Sequence, residues 1–197
     1  RLAQFLCKNN TKEAFTGEVI IPKKFLNTIG SYVTNKEDIS LLINDSVFTA
    51  KIGMDTIYTR IIDEKFPDYE SVIPKDNDKE IKVDRKDLLA AVKRVSIFSN
   101  KTTQQVAMKA ESSKLYIATE DPEKASKAQE KLAISYEGEP MEIGFNASYL
   151  KDVLSHLNSN NIILKLNTPI SASLFYPEKD KEGETVSMLL MPIRLNE

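Results

Sequence analysis

The sequence predicts an α+β fold made of repeated strand-helix-three-strand units, with the helices on one side of antiparallel sheets. Three observations predict it. Pro22, Asp84 and Asn146 follow one another at intervals of 62 residues, an internal period long enough for one supersecondary unit. Each opens a stretch whose apolar residues recur at helical spacing. Around these stretches, short runs rich in β-branched and aromatic residues alternate with turn-forming and charged segments.

Taken in order, the chain opens at Arg1 on RLAQFLC, an apolar strand-like run expected to be the last strand of a preceding half, so the sequence reads as a fragment. The first repeat has a short strand EVII at 18, a helix over 22–34 with Pro22 in its first turn, and strands ISLLI, SVFTAKI and TIYTRII. The second has EIKV at 80, a helix over 84–99 capped by Asp84, and strands QVAMKA, KLYIA and KLAISY. The third has EIGF at 142, a helix over 146–158 capped by Asn146, and strands NIILKL, ISASLFY and VSMLLMPIRL. Turns at NDS and ESS and the charged stretches PEKASKAQEK and PEKDKEGE read as connections in solvent. Leu26, Leu88 and Leu150 correspond, as do Ile29, Ala91 and Val153, then Gly30, Val92 and Leu154, then Val33, Val95 and Leu157. That spacing gives each helix one apolar face to lay on a sheet. Repeats two and three together make residues 78–197 a complete domain, and residues 1–77 the second half of the one before.

Composition narrows the function. The chain is 41% hydrophobic and 28% charged, ordinary for soluble globular domains, and nothing approaches the ~18 consecutive apolar residues of a membrane span. A cytoplasmic location follows. Cys7 is the only cysteine and reads as a small buried apolar residue; His156, the only histidine, reads as a surface side chain on the third helix. With no metal-ligand spacing, no glycine-rich phosphate loop and no histidine or cysteine partner for a nucleophile, the chain is expected to be a non-enzyme without cofactor or metal. Net charge is −2, yet the three helix windows carry +2, +2 and 0, which leaves −6 elsewhere. Basic helices on an otherwise acidic protein suit a polyanion held along the helical side, by phosphates and without base reading. Solvated helix faces are the plainer account of the same charges.

FPDYESVIP at 66–74, IGFNASYLKDVL at 143–154 and the terminal MLLMPIRL at 188–195 closely resemble the bacterial sliding clamp family, and the resemblance spans the chain. It implies a ring-shaped homodimer of three-domain subunits around double-stranded DNA, a processivity factor that docks the replicative polymerase, the clamp loader and repair proteins. In this chain it implies the second half of the middle domain, 1–77, and the C-terminal domain, 78–197. Lys23, Lys24, Arg85, Lys86, Lys93 and Arg94 would face DNA, and Ile97 and Phe98 would form the dimer interface. A cleft for short motifs carrying glutamine with leucine or phenylalanine would be walled by Arg1, Leu2, Pro67, Val72, Asn146, Tyr149, Ile170, Ala172, Leu189, Leu190, Met191, Pro192 and Arg194. Asn196 and Glu197 extend past the leucine at which some members stop. A protein-only interaction scaffold built from the same repeats is the alternative reading.

Overall fold

The computed structural model describes residues 1–8, 16–34 and 38–195; Asn196 and Glu197 lie outside the described residues. Two compact units result, one of Arg1–Asn9 with Tyr69–Glu197 and one of Asn10–Asp68.

In the smaller unit, β2 (Ile39–Ile43), β3 (Val47–Ile52) and β4 (Asp55–Arg60) form an antiparallel meander beside α1 (Lys23–Tyr32). Asn44 shapes the first turn, its side-chain oxygen accepting from the Ser46 and Val47 amides. EVII does not form a strand; Ile20 makes an isolated bridge to Ile62. Pro22 stands before the first helical turn rather than within it. The inward residue of α1 is Phe25, edge-on to Phe48 at 5.5 Å, while Leu26 and Val33 are exposed. Of the predicted apolar face, Ile29 is partly buried against this cluster, whereas Leu26, Gly30 and Val33 are exposed and Phe25 is the most buried residue of the helix.

The larger unit interlocks repeats two and three. Its four-stranded sheet runs β10 (Met141–Asn146), β6 (Gln105–Glu111), β7 (Lys114–Asp121), β8 (Ser126–Ala133). Its six-stranded sheet runs β1 (Leu2–Cys7), β13 (Glu184–Leu190), β12 (Ser173–Pro177), β11 (Asn161–Leu166), β5 (Lys79–Asp84), β9 (Ser135–Tyr136). The first strand of each repeat thus joins the other repeat's sheet: β5 pairs with β11, and β10 with β6, all antiparallel. Neither repeat closes a core alone.

Over this core lie α2 (Arg85–Val95) and α3 (Ala147–His156), packed on each other. The aligned positions Leu88, Ala91, Val92 and Val95, and Leu150, Val153, Leu154 and Leu157, are all buried, as the helical spacing requires. Asp84 accepts from the Asp87 amide and Asn146 from those of Ser148 and Tyr149, so both helices start on side-chain caps.

Three expectations change. RLAQFLC forms β1, but it pairs along its length with β13, Leu2 opposite Leu189 through Cys7 opposite Glu184. It therefore belongs with the larger unit, and Cys7 is exposed rather than buried. PEKASKAQEK is not all connection: from Ser126 it is strand β8, paired over its whole length with β7.

Candidate functional site

Of the proposed cleft residues, Arg1, Leu2, Ala172, Leu189 and Leu190 lie where β1 and β12 begin and β13 ends. Leu2 faces Leu189 across one strand pair and Leu189 faces Leu174 across the next, which sets Leu2 and Leu189 in one row of the sheet. Asn77 fixes the neighbouring segment, its side-chain amide donating to the carbonyls of Lys165 at 2.9 Å and Ala172 at 3.0 Å. Ile170 sits in the tight turn before it, closed by Ser171 donating its amide to the Thr168 hydroxyl.

After Leu190 the chain leaves the sheet at Met191 and Pro192, and Ile193 donates its amide to the Gly144 carbonyl at 2.9 Å. Residues 191–195 thus cross from the six-stranded sheet to the edge of the four-stranded one. This crossing explains the unpaired apolar run: Pro192 has no amide to donate and lies just outside the strand. Gly144 is required there, since a Cβ on it would lie 2.7 Å from the Ile193 carbonyl oxygen and 2.7 Å from Leu195 Cδ2.

Not every proposed wall is a surface. Leu189 and Leu190 are 5% and 1% exposed and belong to the core, whereas Met191 is 53% exposed. Val72, in a 3-10 turn over Glu70–Val72, and Ile170 and Tyr149 are also exposed apolar groups. Arg194 is exposed and bonds to no described residue. Pro67 is exposed and belongs to the smaller unit. Asn146 is engaged on both sides, capping α3 while its amide donates to the Thr103 carbonyl at 3.1 Å. Arg1 lies over the Tyr149 ring, 4.7 Å from its centre, and its guanidinium donates to Asp152 at 2.5 Å. The sequence reading missed Asp152, although its place three residues after Tyr149 on a helix puts both on one face.

The six basic residues divide. Lys23 and Lys24 are exposed on α1. Lys86 and Lys93 are exposed on α2 with no side-chain partner among the described residues. Arg85 is instead structural, donating from Nε to the Ser159 carbonyl at 2.8 Å and from a terminal nitrogen to Leu154's at 3.1 Å, which ties the start of α2 to the end of α3. Arg94 makes a two-pronged pair with Glu130 on β8, both bonds 2.6 Å. That hydrogen-bonded pairing raises the Arg94 guanidinium above its usual pKa and lowers the Glu130 carboxyl. Ile97 and Phe98, in the 3-10 turn that ends α2, are 76% and 45% exposed, so they are a surface pair rather than a buried helix end.

A family model described as the C-terminal domain of the DNA polymerase III beta subunit matches residues 70–194. The chain belongs to the DNA polymerase III beta subunit family. The beta sliding clamp of Pseudomonas putida is 33% identical over 179 residues, and that of Escherichia coli K12 is 31% identical; each alignment covers 90% of this chain and 48% of the relative. The chain spans about half the length of the curated beta sliding clamps it matches. Among solved structures, a Pseudomonas aeruginosa DNA polymerase sliding clamp with ligand overlays at a TM-score of 0.83 and 30% identity, over 90% of this chain and 48% of that one. A Bartonella birtlesii sliding clamp bound to griselimycin gives 0.83 and 30%, over 90% and 47%. The interlocked sheets carrying paired helices are thus the DNA clamp fold of this beta subunit family.

Proposed function

We propose that this chain is half of a sliding clamp subunit, the second half of the middle domain (1–77), of which β1 joins the sheet of the larger unit, and the C-terminal domain (78–197). As a homodimer the whole protein encircles double-stranded DNA in the cytoplasm, without chemistry or cofactor of its own. It holds the replicative polymerase, the clamp loader and repair proteins through a peptide-binding cleft at the end of the six-stranded sheet. The observation that carries the reading is the overlay of 90% of the chain on solved sliding clamps at a TM-score of 0.83. Exposed Lys23, Lys24, Lys86 and Lys93 supply diffuse positive charge for phosphates, and the griselimycin-bound relatives support a ligand site in this fold.

The protein-only scaffold stays as a second reading, because Arg85 and Arg94 are already engaged by groups of this chain, leaving four of the six basic residues for DNA. One experiment separates the two. The full-length protein, loaded on circular DNA, is expected to stay bound at high salt and to be lost when the circle is cut. Equal retention on circular and linear DNA, or none on either, refutes encirclement.

A further inference from the structure

A free arginine at the mouth of a cleft would sample many rotamers, and ordering it on binding would cost affinity. Arg1 is not free. Its guanidinium carbon lies over the Tyr149 ring, 4.7 Å from the centre, and the group is tied to the carboxylate of Asp152, one helical turn further along α3. His156, one turn further on, donates from Nδ1 to the Asp152 backbone carbonyl at 2.8 Å and lies 3.6 Å from Oδ1, while Oδ2 takes the Arg1 bond. About half of the Arg1 and Tyr149 surface stays open, at 45% of the Arg1 side chain and 48% of Tyr149. The pair therefore remains accessible while being ordered. A guanidinium has five N–H donors, and Asp152 uses one, so others are left for an acceptor on a bound segment.

We infer that Asp152 is a positioning residue of the docking cleft: it fixes Arg1 over Tyr149, pre-forming a cationic rim on an aromatic backing that takes a carbonyl or carboxylate of the bound ligand. The inference rests on the docking function proposed above. Asp152 touches no ligand itself; it acts through Arg1.

The test uses this 197-residue chain with griselimycin as probe, read by titration calorimetry, with the Tyr149 ring-proton resonances as a ligand-free readout. Because an exposed ion pair is a modest interaction, Asp152→Asn should weaken binding about two- to fivefold. It should also move the Tyr149 resonances to where Arg1→Gln puts them. Asp152→Glu, which keeps the carboxylate, should restore most of the affinity. The double variant Arg1→Gln with Asp152→Asn should bind no more weakly than Arg1→Gln alone, since both changes remove one device. Wild-type affinity and unmoved Tyr149 resonances in Asp152→Asn overturn the inference and leave the docking function standing, as does full additivity in the double variant. A wild-type chain that ignores griselimycin overturns the docking function, and the cleft role of Asp152 with it.

Discussion

Leu190 and Met191 are adjacent, were expected to line the same cleft, and should respond oppositely to truncation. Leu190 is 1% exposed and sits across from Ser173 in the middle of three paired strands. Leu190→Ala removes a core side chain from a close-packed site, a change that costs about 3 kcal/mol in such settings. With a urea dependence of about 1.5 kcal/mol/M for a unit of this size, the unfolding midpoint should fall by about 2 M. Met191 is 53% exposed, so Met191→Ala should shift stability by less than about 0.5 kcal/mol. Its effect belongs to binding, because a flexible thioether on an open surface adapts to an apolar anchor. Urea titration followed by circular dichroism gives the two midpoints, and calorimetry with griselimycin gives the two affinities. An unmoved midpoint for Leu190→Ala, or an equal fall for Met191→Ala, refutes the division into core and surface. Unchanged affinity for Met191→Ala refutes its place in the cleft.

Arg85→Ala should destabilise the fold by about 2 kcal/mol in urea, since it leaves two carbonyls at the end of α3 without their charged donor; Lys86→Glu with Lys93→Glu should leave the midpoint unchanged. In the full-length protein that lysine pair should instead flatten the salt dependence of DNA loading, by about 0.9 in log-log slope for each phosphate no longer neutralised. The Glu130 carboxyl is held below its ordinary 4.5 by Arg94, so its stabilising contribution is complete above that value and is lost as pH falls through the lower folded one. Arg94→Ala should remove this acid-side component, so the difference in Tm between wild type and variant should shrink from about pH 6 to about pH 3. Ile97→Ala with Phe98→Ala should turn the full-length dimer into a folded monomer by light scattering; an intact dimer at low concentration removes the pair from the interface.

Much of the larger unit was legible in the sequence because local and tertiary demands coincide there. The 62-residue period marks α2 and α3, and their aligned apolar positions are buried because each helix covers the other and the sheets beneath. Strand β8 was hidden by its composition. Its sequence SKAQEKLA is made of helix-favouring and charged residues, yet its burial alternates strictly, with Ala128, Glu130 and Leu132 inward of Lys127, Gln129 and Lys131. Pairing with β7 overrides the propensity. The face of α1 was only partly readable because alignment to α2 and α3 assumes the same neighbours, whereas α1 packs through Phe25 and Ile29 beside a sheet of only three strands. At the proposed cleft, exposure was not readable, since adjacent residues at a strand end diverge where the backbone turns out of the sheet, as Leu190 and Met191 do. Nor did the charge pattern reveal that Arg85 is spent on two carbonyls. That assignment depends on α2 beginning beside the end of α3, which brings together residues 69 and 74 positions apart.

The bridge from Gly144 to Ile193 has a mechanical consequence. A segment merely draped over a domain yields when pulled, but this one is stitched to the second sheet two residues after Met191. Tension applied at Met191 is then shared between both sheets instead of peeling β13 away from its neighbours. The stitch depends on there being no side chain at position 144, where even a methyl group would meet the Ile193 carbonyl and Leu195. A hydrogen atom in place of a side chain on β10 thereby sets how firmly the segment around Met191 is anchored.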